Sequence, residues 1–201
     1  MSNRAISKFL TVFGNIKIFP YPFFVIYDPK SYRVTAKETR EIENILQNGD
    51  ILLRCYINYL DGYFIPSKFS HAAIATESKT VVHAVAEGVK EEDILQFCRC
   101  DGVVVLRPRV SYNDKVQAVE YARAHIGCSY DFEFNPDTED TYFCTELVYW
   151  CYKGKINVEP HIVTKLFGLL KKYTIVPDEY LNNLKLDIVY ATELAQKRLK
   201  K

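Results

Sequence analysis

One cysteine and two histidines are the residues of this sequence whose types and positions could carry out nucleophilic chemistry. Cys144 lies near the start of the apolar stretch 142–152, and His71 and His83 lie upstream in two short apolar segments. A thiol becomes a strong nucleophile when an adjacent imidazole draws its proton and a further polar group orients that imidazole. The three residues therefore form a candidate set for covalent catalysis by a cysteine.

The candidate nucleophile lies in a segment that predicts a buried helix. All but two residues of 142–152 are apolar, aromatic or cysteine, which is typical of a helix that is buried nearly all round. The preceding run 137–141 is polar, and Asp140 and Thr141 are the best N-cap residues in it, so the helix is predicted to begin near Thr141. Cys144 then lies in the first turn, where the free N–H groups and the dipole should lower the pKa of its thiol. The alternative is a cysteine that only packs the core.

Each histidine lies in a segment that is typical of a β-strand. Residues 70–76 and 80–86 are separated by three polar residues, which is a hairpin-length connection. In an antiparallel pair, residues whose numbers sum to about 155 lie opposite each other, so that His71 faces roughly Ala84 and His83 is one step away. A bulge or a shift of one residue places both imidazoles on one face. The alternative for each is a histidine that is satisfied within the core.

Further elements are predicted around these segments, and they must position the three residues. A capping box at Thr35–Glu38 starts a helix, residues 102–106 form a strand, and residues 114–126 form an amphipathic helix. Apolar residues between 162 and 170 predict another helix, which ends in two lysines, and Pro177 opens a short one.

Composition restricts the class of protein. The 201 residues, 48% of them hydrophobic, suffice for one domain over 1–201 with a sizeable core. A net charge of +1 gives no footprint for nucleic acid. The six cysteines include no CxxC pair, which favours reduced thiols in a reducing compartment. Cys98 and Cys100 lack a partner pair at the spacing of a zinc site, so neither a metal nor an organic cofactor is expected.

The two ends of the chain have a different character from the middle. Residues 1–34 read as an apolar arm in which Pro20 and Pro22 block regular structure. Residues 195–201 read as a basic, solvated tail. The sequence shows neither a signal peptide with a cleavage site nor a stretch long enough to span a membrane, so a cytoplasmic protein is expected. An interfacial contact of the arm with a membrane is the alternative that remains open.

A series of short motifs follows one order along the chain. They are N-G-D-I-L-L-R (48–54), Y-L-D-G-Y-F-I-P (59–66), S-H-A (70–72), V-H-A-V-A-E-G-V (82–89), V-V-L-R-P (104–108), G-x-x-Y-D-F (127–132) and F-C-T-E-L-V (143–148). Together they resemble the permuted papain-like hydrolases of the NlpC type, and within them the YiiX-like group. The resemblance implies an α+β, circularly permuted fold in which the histidine precedes the cysteine. A small, antiparallel, barrel-like sheet packs on the cysteine helix in that fold.

The resemblance also implies catalytic roles. Cys144 is the nucleophile, His71 is the base, and His83 occupies the third position, which polarises and orients the base. Many relatives carry a glutamate there, whereas a histidine is like the Cys–His–His set of unpermuted NlpC enzymes and of lecithin retinol acyltransferases. A neutral imidazole stabilises an imidazolium less than a carboxylate would, and Glu87 is the nearby alternative.

Further residues are implied in binding. Tyr130 corresponds to a tyrosine that lines the active site of NlpC-type relatives, and Tyr63 and Ser70 are grouped with it as substrate-binding residues. The backbone N–H of Cys144 is the expected oxyanion donor. Ser67 stands where a glycine is expected, and it should stiffen the loop before His71.

The implied activity is that of a cysteine hydrolase. It would cleave an amide or peptide bond through a thioester acyl-enzyme, in a substrate such as a cell-wall stem peptide or another molecule with a non-standard linkage. Two alternatives remain. The first is a thiol acyltransferase or lipid deacylase of the lecithin retinol acyltransferase type, and the second is an inactive domain that keeps only the binding groove.

Overall fold

The structure is a computed structural model that describes residues 12, 16–20, 23–27, 32–57, 67–133, 140–165 and 170–200. Its strands are β1 (Ile16–Pro20), β2 (Phe23–Tyr27), β3 (Ile51–Cys55), β4 (His71–Ala75), β5 (Thr80–Val85), β6 (Gly88–Asp93), β7 (Gly102–Pro108), β8 (Ser129–Tyr130), β9 (Thr141–Tyr142), β10 (His161–Lys165), β11 (Leu170–Thr174) and β12 (Leu186–Ala191). Its helices are α1 (Ala36–Ile45), α2 (Ile94–Phe97), α3 (Tyr112–Ala124), α4 (Cys144–Cys151), α5 (Asp178–Leu181) and α6 (Glu193–Leu199).

Six of these strands form one antiparallel sheet in the order β12-β7-β3-β4-β5-β6. Because side chains alternate between the faces of a strand, the sheet separates two apolar clusters. Ala72 and Ile74 of β4 belong to the cluster that contains side chains of α3 and α4. Ala73 and Ala75 belong to the other cluster, with side chains of α1 and α2. Helices therefore cover both faces of the strand that carries His71.

Several helices begin where the sequence predicts. The capping box at Thr35 and Glu38 is present at the start of α1, which confirms that prediction. The amphipathic helix begins at Tyr112 rather than at Asp114, because Ser111 and Asp114 form its capping box. Pro177 precedes α5, as predicted.

One predicted helix is wrong. Residues 161–165 and 170–174 pair as the antiparallel strands β10 and β11, in which Ile162 is opposite Tyr173, and the predicted helical residues 166 and 167 lie outside the described residues. The apolar spacing fits a helix, but the run of β-branched residues at 162–164 favours a strand once a partner strand is available. Pairing with another strand therefore determines that residues 161–165 form a strand and not a helix.

The ends of the chain are more ordered than the sequence indicates. The described part of residues 1–34 includes the hairpin of β1 and β2, so Pro20 ends a strand and does not prevent one. The described basic side chains of the tail are largely exposed, as predicted, but Ala195 lies in α6 and is fully buried, so the tail is not a free segment from that residue onward. A methyl group added at Gly102 of β7 would come within 3.3 Å of the Ala195 nitrogen, so α6 packs directly on the sheet.

The described residues include no helix that is both long and apolar enough to cross a membrane.

Candidate active site

The cysteine helix begins with the cysteine itself. Phe143 is the N-cap residue of α4, and its backbone N–H donates to the Glu146 carboxylate at 3.2 Å. The predicted start near Thr141 is wrong, because Thr141 and Tyr142 form the short strand β9, which pairs in parallel with β8. Cys144 is still in the first turn, as the catalytic hypothesis requires.

The thiol of Cys144 lies among hydrogen-bond donors in a buried place. Its side chain is 8% exposed. Burial raises its pKa, and this effect outweighs the backbone N–H groups of Ala72 and Thr145 and the charge of Arg54, which lower it. The expectation of a lowered pKa, based on the helix dipole alone, is therefore wrong. The resting side chain is therefore a neutral thiol, and the nearby N–H groups offset only part of the cost of charging it.

The two histidines contact each other directly. Nε2 of His71 and Nδ1 of His83 are 2.9 Å apart, and the rings meet edge to face at 78°. β4 pairs with β5 at Ile74↔Val82 and Ala75↔Val81, so the register differs by one residue from the predicted one. On that register His71 and His83 are diagonal neighbours on one face of the sheet. The prediction that both imidazoles share a face is confirmed.

The histidine pair and the cysteine meet β4 from different sides. Both imidazole rings lie beside Phe97, with ring centroids 6.2 Å and 5.7 Å away, in the layer that contains α2. Side-chain alternation therefore directs His71 away from the layer of α4. The sulfur of Cys144, however, accepts from the N–H of Ala72, the residue next to His71. That N–H lies at the end of β4 where the described pairing with β5 has stopped.

Both imidazoles are neutral in the folded protein at neutral pH. Burial lowers the pKa of His71 and of His83 well below 6.5, because the charged form loses its hydration. The nearby cations Arg54 and Lys90 lower both values further. In a neutral pair of this kind each ring carries one N–H, so the tautomer decides which nitrogen is basic.

Sequence reasoning missed the carboxylate beside this pair. Oε2 of Glu92, on β6, is 3.6 Å from Nε2 of His83. The same carboxylate is 3.3 Å from Lys90 Nζ and 3.8 Å from the Arg54 guanidinium. Glu87, the nearby alternative from the sequence, is exposed in the turn between β5 and β6. Prediction of β6 as a strand would have placed Glu92 diagonally across from His83.

The three predicted substrate-binding residues have different outcomes. Tyr130 packs against the apolar cluster that contains side chains of α4, and burial, followed by the charge of Cys144, raises the pKa of its hydroxyl. Ser70 precedes β4, and its N–H donates to the Arg54 carbonyl at 3.0 Å. Its hydroxyl oxygen is buried and has no partner among the described residues. Tyr63 lies outside the described residues.

The short helix α5 contacts both sides of the candidate site. Asp178 accepts from the Ser67 hydroxyl at 2.6 Å and from the Lys68 N–H, so it holds the loop that leads into β4. Tyr180 donates its hydroxyl to the carbonyl of Thr145 at 2.7 Å, in the first turn of α4. Ser67, the departure from the expected glycine, thus takes part in a contact that restrains the approach to His71.

This arrangement defines a class of protein. A buried helix that begins with cysteine packs on an antiparallel sheet, and the histidine strand precedes that helix in the chain; this is the permuted papain-like fold. The profile of the permuted papain-like amidases, the YaeF/YiiX group of the C92 family, matches residues 45–198. The chain belongs to this family.

A solved structure agrees with the fold. The chain is similar to the metalloprotein yiiX from Escherichia coli O157:H7, with a TM-score of 0.59 and 18% identity. The similarity covers 73% of this chain and 97% of that one. No protein in the curated set matches the chain by sequence. Within the described ranges, no group of three or more His, Cys, Asp and Glu residues could hold a metal ion.

Proposed function

We propose that this protein is a cysteine amidase in which Cys144 is the nucleophile, His71 the general base and His83 the residue that orients the base. The observation that carries the proposal is the 2.9 Å contact between Nε2 of His71 and Nδ1 of His83, one residue along β4 from the Ala72 N–H that donates to the sulfur of Cys144. That contact leaves Nδ1 of His71 as the nitrogen to receive the thiol proton. This nitrogen must reach the sulfur around the open end of β4, because side-chain alternation directs the ring toward the layer of α2. The N–H of Ala72 holds the sulfur beside the backbone of β4 where the described β4–β5 pairing has ended.

The reaction begins from the neutral pair. As the sulfur attacks the carbonyl carbon, the S–H bond breaks and its proton moves to Nδ1 of His71, while a C–S bond forms and the carbonyl oxygen takes the negative charge. The backbone N–H of Cys144 is the donor assigned to that oxygen. When the C–N bond breaks, His71 returns the proton to the leaving amine. Water then attacks the thioester carbonyl carbon while His71 accepts a proton from it; the C–S bond breaks, the carboxylic acid leaves and His71 returns the proton to the sulfur.

The raised pKa of the thiol fits this order of events. A site that keeps Cys144 as a thiolate would stabilise the enzyme before the reaction starts, which does not lower the barrier. N–H donors beside a neutral thiol instead stabilise the sulfur only as it loses its proton during attack. Ala72 and Thr145 supply such donors. We assign the acceleration to proton transfer during attack and not to a preformed ion pair.

The substrate that we propose is a peptide or amide with a non-standard linkage, such as a cell-wall stem peptide. Membership of an amidase family supports the amide. We place the enzyme in a reducing compartment, which the six free cysteines support.

Alkylation by iodoacetamide, followed by peptide mapping, tests the nucleophile. Cys144 should react well before Cys151, which lies two turns further along α4 and whose pKa is also raised by burial. His71→Ala should slow the reaction of Cys144 and leave that of Cys151 unchanged. If Cys144 reacts no faster than Cys151, the nucleophile assignment fails and α4 is only a core helix.

Variants at the orienting position test the roles of the two histidines. His83→Ala should impair Cys144 alkylation less than His71→Ala, because orienting a base matters less than being the base. His83→Glu should keep substantial reactivity. Equal losses in all three variants, with the fold intact, would mean that the roles are misassigned. Turnover of an amide against the matching ester separates amidase from acyltransferase or deacylase activity.

A further inference from the structure

A buried ring nitrogen of the histidine pair faces a carboxylate. The His83 side chain is fully buried, and its Nε2 has no hydrogen-bond partner within 3.5 Å among the described residues. The group that it faces is Oε2 of Glu92, at 3.6 Å. A buried N–H without an acceptor is costly, so this short separation identifies the acceptor toward which the ring is directed.

The contact between His83 and Glu92 affects which nitrogen of His71 is protonated, because the two neutral rings share a limited number of protons. A single proton lies between Nε2 of His71 and Nδ1 of His83. If His83 carries its own proton on Nε2, then Nδ1 accepts from His71, and Nδ1 of His71 is free to act as a base. If His83 carries its proton on Nδ1, it donates to His71, whose proton then lies on Nδ1. In that second state His71 cannot take a proton from a thiol.

The charges around His83 favour the first state. An ionised carboxylate only accepts hydrogen bonds, so Glu92 favours an N–H on the nitrogen that it faces. Lys90 and Arg54 approach Glu92 from β6 and β3, and their ion pairs hold that carboxylate in place. Phe97, from α2, covers the rings without a charge of its own.

We infer that Glu92 is a positioning residue, which fixes the proton of His83 on Nε2 and thereby makes Nδ1 of His71 the basic nitrogen. The inference rests on the proposed function for its catalytic meaning, since His71 is useful as a base only if Cys144 is the nucleophile. It adds Glu92 to the proposed site, which then consists of a cysteine, two histidines and a carboxylate in a row.

The tautomers can be observed directly in the full chain. Long-range ¹H–¹⁵N correlation spectra of protein labelled with ¹⁵N-histidine distinguish a protonated ring nitrogen from an unprotonated one, and the sequence contains four histidines to assign. At neutral pH the wild-type protein should show His83 protonated on Nε2 and His71 unprotonated on Nδ1. Glu92→Leu should mix or reverse these states. Glu92→Gln should keep them, because its amide oxygen can still accept.

The matched control is Glu91→Leu on the same strand. Glu91 faces the Thr80 hydroxyl and Arg123, away from the histidine pair, so its loss should leave both tautomers unchanged. Alkylation of Cys144 provides the functional readout. Glu92→Leu should slow it roughly tenfold, the loss expected when a histidine loses its orienting partner, and Glu92→Gln should restore most of the rate.

The two proposals fail in different ways. A wild-type His83 protonated on Nδ1, or tautomers that do not change in Glu92→Leu, would overturn the role of Glu92 whatever the reactivity of Cys144. If the tautomers respond as expected but wild-type Cys144 reacts no faster than Cys151, the positioning of His83 stands and the nucleophile assignment falls.

Discussion

The histidine pair should make the stability of the fold depend on pH just below neutrality. In the unfolded chain the two histidines have pKa values of about 6.5 and bind protons as the pH falls. In the folded protein their pKa values lie well below 6.5, because both rings are buried next to cations. The unfolded state therefore binds more protons, and the free energy of unfolding decreases as the pH is lowered through 6.5.

The magnitude follows from the linkage relation. Between about pH 7.5 and about pH 5.5, one histidine that stays neutral when folded lowers the free energy of unfolding by about 1.4 kcal/mol. His71 and His83 together should lower it by about 2.7 kcal/mol. Urea denaturation measured across this range, with the fluorescence of Trp150 as the signal, gives the quantity directly, because Trp150 is the single tryptophan of the chain.

The control is the variant His71→Asn/His83→Asn. It keeps the other two histidines of the chain, so the difference between the two pH profiles isolates the pair. The variant should lose about 2.7 kcal/mol less than the wild-type protein over the same range. A difference near half that value would show that the folded pair binds one proton, and no difference would refute the assignment of two neutral rings.

Two substitutions test contacts that support the site, and a third tests a buried ion pair at the other end of β3. Tyr180→Phe should lower the free energy of unfolding by about 1–2 kcal/mol in urea, because it leaves the buried Thr145 carbonyl without its donor. Asp178→Ala should speed amide hydrogen exchange in the loop before β4, measured by mass spectrometry, because the backbone there loses its acceptor. Arg107→Met should cost about 3–5 kcal/mol in the same urea titration, since it removes the bidentate partner of the fully buried Asp50. A loss below about 0.5 kcal/mol in either urea experiment would contradict the corresponding contact.

The sequence predicts the parts of the site that depend on local patterns. A hairpin-length connection between two apolar segments is enough to bring His71 next to His83, and the register error of one residue does not separate them. The apolar composition of 142–152 likewise predicts the buried helix. Both features are encoded within a few neighbouring residues, where composition and spacing are most informative.

The wrong predictions concern features that depend on contacts between distant parts of the chain. Thr141 is a good N-cap by type, but pairing with β8 draws it into a strand, and the helix begins at Cys144. The segment 90–93 contains four consecutive charged residues and does not resemble a strand, yet it pairs with β5 at the edge of the sheet. Glu92 was missed for that reason. The pKa of Cys144 was misjudged because burial depends on everything packed around the helix, and position in the first turn describes only the helix itself.

The contacts of α5 give the enzyme an order of assembly during synthesis. The hairpin that carries His71 and His83 leaves the ribosome first and Cys144 much later. Asp178 and Tyr180 are synthesised later still. Asp178 binds the loop before β4, and Tyr180 binds the first turn of α4. A nascent chain that has emerged only as far as α4 contains the proposed nucleophile, base and orienting histidine, but not the helix that holds the loop before β4 to the first turn of α4. If Cys144 is the nucleophile, its thiol is expected to gain full reactivity only after α5 has docked.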